Sequence, residues 1–197
     1  MSSHHIVRES QEPALWIMQP QACDYAFIQE LLEWSPWVLV SEAALTDVLG
    51  WGVKIDAVLL QESGNELWLE KLQEQTPLEI IVYQQDSLQS GLDHLLQKQV
   101  HTVHVVAEPI FAENFHFDHT GIEWVLFYED FKMIFYLESV WKKWVPQGQL
   151  FYLPEKNLQT SNLQILKDKP GFYEAIQDGF VEICTPEVGF WLSEKLN

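Results

Sequence analysis

Two histidine pairs and one row of polar residues at strand ends are the parts of this sequence with chemistry in them. His101 and His104 are spaced i, i+3, and so are His116 and His119, which enclose Asp118 in "HFDH". On a helix that spacing sets both imidazoles on one face, as a zinc site requires. "TVHVV" around His104 is instead an apolar run of strand length, and residues three apart on a strand point to opposite faces. His101 and His104 therefore cannot readily share an ion. "HFDH" lies in an irregular stretch, and the sequence supplies no fourth ligand for it. Structural histidines are the expectation for both pairs.

The polar row is more informative. Ser41 and Glu42 follow "WVLV", while Gln61, Glu62 and Ser63 follow "DAVLL" in "KIDAVLLQESGNE", and Asp86 and Ser87 follow "LEIIVY". If these runs are parallel strands, the polar residues stand on one sheet edge. That edge is where ligands bind in open α/β sheets. Glu42, Glu62 and Asp86 are the candidate working carboxylates. The competing reading is that Glu42 and Asp86 only open helices, where a carboxylate complements the amino terminus. No GxGxxG, GxxxxGK[ST] or GxSxG occurs, so dinucleotide, P-loop and serine-hydrolase chemistry have no motif.

The elements that must position this row are legible as a rhythm. "ALWIM" precedes "CDYAFIQELLEW", "WVLVS" precedes "EAALTDVLGWG", and "DAVLL" precedes "GNELWLEKLQEQ"; then "LEIIVY" precedes "DSLQSGLDHLLQKQ", and "TVHVVAE" closes the series. Short apolar runs alternating with amphipathic segments predict βα units around a mostly parallel, doubly wound sheet covered on both faces. After Glu108 the pattern changes to "WVLFYED", "KMIFYLES", "GQLFYLP", "LQTSNLQIL", "GFVEIC" and "VGFWLS", which predicts a small antiparallel β-sandwich. The clearest hairpin is "GFVEIC-TPE-VGFWLS". The expected division is an α/β domain over 1–130 and a β-sandwich domain over 131–197.

Charge sets limits on partners. The 197 residues carry 11 basic and 29 acidic side chains, a net −18, with Arg8 the single arginine. No basic stripe exists to replace phosphate counterions, so nucleic acid is excluded as a partner, and a free nucleotide would need a divalent ion between it and the carboxylates. Cys23 and Cys184 are isolated, which fits a reducing compartment, and no apolar run approaches the ~20 residues of a membrane span. A cytoplasmic protein is the expectation. Lys142 and Lys143 in "VWKKWVPQG" sit between aromatics, where cation–π contact or a solvated turn would account for them.

The order of elements resembles the thiamine pyrophosphokinase family, in the version found in Bacteroidetes-type bacteria. The residues that carry the likeness are Ser2–Glu9 and Glu12–Leu15, then "LLEWSPWVLV", "GVKIDAVLL", "KMIFYLESVWKKWVPQGQLFYLP", "TSNLQI" and "DGFVEI". The resemblance implies an α/β nucleotide-binding domain joined to a thiamine-binding β-sandwich, a homodimer, and Mg²⁺-dependent transfer of pyrophosphate from ATP to thiamine. The family's motifs are altered here. Its aspartate-glycine after the second strand falls on Glu42-Ala43. Its "GDFDS" falls on Leu60-Gln61-Glu62-Ser63-Gly64, and its Thr-Asp pair falls on Asp86-Ser87. Its late Ser-Asn-Glu element is missing, the segment between Asn162 and Asp178 being shortened, and Ser161-Asn162 match an earlier strand. Asp118-His119-Thr120 match an Asp-His-Thr nucleotide motif, although "GIEW" leads into a strand where the family has a helix.

Mg²⁺ prefers near-octahedral oxygen ligation with carboxylates and gains little from Gln or Ser. Three readings follow. One is an active kinase with Glu42, Glu62 and Asp86 as replacement carboxylates. The others are a non-catalytic paralogue binding thiamine or another small molecule, and an interaction protein on the same fold.

Overall fold

The computed structural model describes residues 13–61, 68, 70–109, 121–154, 158–186 and 189–196. Five short apolar runs form parallel strands: β1 (Ala14–Ile17), β2 (Val38–Ser41), β3 (Ala57–Gln61), β4 (Glu79–Tyr83) and β5 (Thr102–Val106). They lie in the order β5-β1-β2-β3-β4. The build-up therefore runs outward from β1 to β4, then crosses back to place β5 on the other side of β1. The central strands β1, β2 and β3 are continuous apolar runs because both faces are buried, β1 with no exposed residue at all, whereas β4 at the sheet edge leaves Ile80 and Val82 exposed.

The helices between them are α1 (Tyr25–Glu33), α2 (Leu45–Gly50) and α3 (Ser87–Gln97). Phe27 of α1 packs on Phe127, 5.2 Å between ring centroids, on the face that also presents Ile17 and Val40. Gly91 of α3 meets Trp16 and Leu59, which project from the opposite face. Helices thus cover both faces. Asp86 caps α3 by accepting from the Leu88 and Gln89 amides at 2.9 and 3.0 Å, and Lys98 just past its end binds Glu79 at 2.6 Å. The helix expected over 64–75 is represented among the described residues by a single 3₁₀ turn, Gln73–Gln75, and by Trp68. No helix among the described residues is long and apolar enough to cross a membrane.

The sheet does not end at Asp130. Strand β6 (Glu123–Tyr128) adds parallel to β5, and β7 (Phe131–Tyr136) turns back antiparallel to β6. The remaining strands are β8 (Val140–Val145), β9 (Leu150–Tyr152), β10 (Gln159–Ser161), β11 (Leu163–Ile165), β12 (Phe172–Ala175), β13 (Gly179–Cys184) and β14 (Phe190–Lys195). Among the described residues, one mixed sheet of 11 strands runs β11-β12-β9-β14-β7-β6-β5-β1-β2-β3-β4, and a separate antiparallel sheet of three runs β10-β13-β8. An apolar layer joins them. Trp141, Val145, Val181 and Ile183 of the small sheet meet Phe151, Ala175, Phe190 and Leu192 of the large one.

The expected hairpin is a correction. "GFVEIC" is β13, paired with β8 and β10 in the small sheet, whereas "FWLS" lies in β14, paired with β7 and β9 in the large sheet. The connection crosses from one layer to the other, because each strand has one apolar face and both faces are buried in the same layer from opposite sides.

One charged group sits in that layer. Phe190, Leu192 and Glu194 alternate on one face of β14, which leaves Glu194 only 7% exposed. It is met by Lys132 of β7 at 3.4 Å and by Lys143 of β8. Lys143 therefore points inward, while its neighbour Lys142 points outward, 3.1 Å from Glu182 and 5.5 Å from the Phe180 ring centroid. The "VWKKWV" segment is a strand rather than a turn, and the period-2 alternation gives its two lysines different partners.

His104 sits in β5 with its ring edge-on to Phe127 at 5.1 Å, and His101 lies exposed before the strand. Burial pushes the His104 pKa down to about 4. Between about pH 6.5 and 4 the unfolded chain binds a proton there that the folded one refuses. The stability held above pH 6.5 is expected to fall as pH drops through that window, and His104→Gln should flatten the slope in urea titrations. A second prediction concerns Gly91. A methyl group there would lie 2.3 Å from Cη2 and 2.6 Å from Cζ2 of Trp16, a fully buried ring. Alanine's helix propensity favours the change by up to ~1 kcal/mol, whereas overpacking typically costs ~1–3 kcal/mol. Gly91→Ala should lower the urea midpoint.

Candidate functional site

The carboxyl ends of the parallel strands bring the polar row to one edge. Ser41 closes β2, Glu42 opens a 3₁₀ turn (Glu42–Ala44), Gln61 closes β3 and Tyr83 closes β4, with Asp86 three residues beyond. Glu62, Ser63, Asp118, His119 and Thr120, and with them the "HFDH" segment, lie outside the described residues. Positions read from the strand pattern are therefore together where they are described, but their side chains have specific employment.

Ser41 Oγ accepts a hydrogen bond from the Trp16 indole at 3.0 Å, which satisfies the polar atom of a fully buried ring. Ser87 is the first residue of α3, directly after the Asp86 cap. Asp86 matches the helix-opening reading. Glu42 also opens its turn, as the acidic residue of the first turn leading into α2, but its side-chain oxygens are used elsewhere. Its Oε2 accepts from the Gln61 backbone amide at 2.7 Å, and its Oε1 accepts from the Trp68 indole at 3.1 Å. The register explains the first bond. β2 pairs with β3 only as far as Ser41 opposite Leu59, because the chain curls away at Glu42. The Gln61 amide projects beyond the last β2 carbonyl, and the Glu42 carboxylate stands in for the missing acceptor. Charge-assisted bonds of this kind contribute roughly 1.5–3 kcal/mol each where water is excluded, and less at an open edge. Tyr83 completes the group: burial and then the Glu42 charge push its phenol pKa up, so it stays protonated.

The reversal in strand order between β1 and β5 is laced together by one residue that sequence reasoning passed over. The Met18 and Gln19 amides both donate to the Val106 carbonyl, at 3.1 and 3.0 Å, and the Gln19 side-chain oxygen accepts from the Glu108 amide at 2.7 Å. Nothing in a lone glutamine after a strand marks it for this role. Nearby Cys23 is buried, and desolvation, followed by the charges of Asp24 and Glu108, pushes its thiol pKa up to about 12. It is not a thiolate nucleophile. Among the described residues, no three His, Cys, Asp or Glu side chains stand close enough to hold a metal ion.

No protein-family model matches the chain, and no curated protein matches it by sequence. Solved structures do match by fold. A thiamine pyrophosphokinase from Bacillus subtilis aligns with a TM-score of 0.63 over 94% of this chain and 100% of that chain, at 10% identity. The yeast thiamin pyrophosphokinase gives 0.65 over 97% and 88%, at 7% identity. That of Candida albicans gives 0.60 over 93% and 90%, at 8% identity. Nearly the whole chain is covered each time, across both sheets, so the chain has the fold of the thiamine pyrophosphokinases.

Proposed function

We propose that this chain is a thiamine pyrophosphokinase-like protein in which transfer of pyrophosphate from ATP to thiamine is weak or lost. Fold alone does not fix function, so the reading rests on the residues at the carboxyl edge. The observation that carries it is the state of Glu42. Both of its oxygens accept from the chain's own N–H groups, and beside it the end of β3 offers the neutral Gln61. Asp86 is likewise engaged, one oxygen receiving two helix amides.

A magnesium–nucleotide complex is held by carboxylate oxygens that replace water around the metal, and a carboxylate already holding N–H donors is a weaker ligand for it. The described donor set, with the neutral Gln61 at the end of β3 and no three described His, Cys, Asp or Glu side chains grouped, does not fit it. With a net charge of −18, the protein also has little to hold a triphosphate without a metal. On this reading 1–130 form a doubly wound α/β unit of the nucleotide-binding type and 131–197 a β-sandwich of the thiamine-binding type. The protein is then a cytoplasmic homodimer of the Bacteroidetes type, and Mg²⁺ and ATP serve it only to the extent that activity persists. Retention of the crevice for thiamine or another small molecule without catalysis is the companion reading, since the strand ends keep their placement while the two described carboxylates, Glu42 and Asp86, already hold the chain's own N–H groups.

Release of AMP from ATP in the presence of thiamine and Mg²⁺ is the direct measurement. Turnover at or near background is expected, and sustained stoichiometric formation of thiamine diphosphate would overturn the proposal. Thermal unfolding with thiamine, its diphosphate and ATP then separates binding from its absence. A ligand at 100 times its Kd adds ~2.7 kcal/mol of stability, so a rise in melting temperature with thiamine but not ATP is the expected result for a retained, non-catalytic pocket.

A further inference from the structure

The engagement of Glu42 is more than the loss of a ligand. We infer that Glu42 is an internal clasp which competes with divalent cations, so that a metal binding across both oxygens of this carboxylate does so against the chain's own donors. This rests on the reading that metal-dependent transfer is weak or lost, and it supplies a physical cause within the chain.

The clasp joins three separate places. Glu42 begins the turn after β2, Gln61 ends β3, and Trp68 belongs to the connection towards β4. Its two donors approach different oxygens, at 2.7 and 3.1 Å, so a cation bound across both oxygens would meet the positive ends of two N–H dipoles already aimed at them. The Gln61 amide has passed the last paired residue of β2 and has no β2 carbonyl to return to, so a Glu42 carboxylate turned to a metal leaves this exposed amide to water, and the net worth of the charge-assisted bond is what the metal has to outweigh. Binding free energies are reciprocal: whatever factor the clasp takes from metal affinity, the metal takes from the clasp.

The experiment uses the full chain, labelled with ¹⁵N, and Mg²⁺ alone as the probe. Hydrogen exchange at the Gln61 amide is measured in the wild type, Glu42→Ala and Glu42→Gln, and Mg²⁺ affinity is compared between the wild type and Trp68→Phe. The expected results are exchange at Gln61 accelerated about tenfold by Glu42→Ala, and Mg²⁺ bound about tenfold more tightly by Trp68→Phe, within the usual range of coupling between sites. Glu42→Gln retains the side-chain shape and one carbonyl acceptor, so an intermediate exchange rate in a well-folded variant supports the clasp even where the alanine variant is unstable. Exchange at Gln61 that is unchanged in a folded Glu42 variant, or equal Mg²⁺ affinity in the wild type and Trp68→Phe, overturns the inference. Neither measurement involves nucleotide, so AMP formation by the wild type would count against the proposed function without deciding the clasp.

Discussion

Strand β6 is the constraint on which the architecture depends. A β-strand has two hydrogen-bonding edges, and β6 pairs parallel with β5 along one and antiparallel with β7 along the other. It is therefore the place where a helix-covered parallel sheet becomes an antiparallel one without a break in the ladder. The reversal takes two residues, Glu129 and Asp130, with Glu129 at φ 48. Such a turn in a non-glycine residue has to be held. The Glu129 amide donates to the Ala22 carbonyl, Asp130 pairs with Lys195 at 2.8 Å, and the Leu196 amide binds the Asp130 carbonyl at 2.6 Å. The last strand thus comes back to secure the turn. One residue further in, the Tyr128 hydroxyl lies 2.8 Å from Ser193 Oγ, so a buried polar pair ties β6 to β14 across β7.

The parallel strands were legible because their environment writes itself into composition. Both faces are buried, so "ALWI", "VLV" and "AVLL" have no polar residue to interrupt them. The antiparallel part was legible as strands but not as pairings. "GFVEIC" and "VGFWLS" have the alternation and the short spacing of a hairpin, and nothing local distinguishes a chain that turns back in the plane from one that steps to another layer. That choice is made by the β7 and β9 edges between which β14 inserts. It is a long-range decision.

The edge that carries the polar row was found for the same reason as the parallel strands, since strand ends follow from strand runs. What each side chain does there was not. Asp86 acts within its own next three residues, which is why a cap was a sound reading of it. Glu42 acts on an amide 19 residues away and an indole 26 residues away. Its role is fixed by the point at which β2 curls away from β3, a register that only the folded sheet defines. Gln19, which bridges to a residue 89 positions later, was invisible for the same reason.

Glu194 has a consequence for how the sequence can change. A carboxylate in an apolar layer is tolerated because two ammonium groups, one from each sheet, meet it. Removing the carboxylate brings together two ammonium groups, 32% and 47% exposed, with no opposite charge between them, while removing either lysine leaves the buried carboxylate with a single partner. Exchanging all three for apolar residues of similar volume avoids both difficulties, since buried ionic groups are often replaceable as a set without loss. Glu194 is therefore the position on which the role of both lysines depends, and substitutions in this layer are coupled rather than independent.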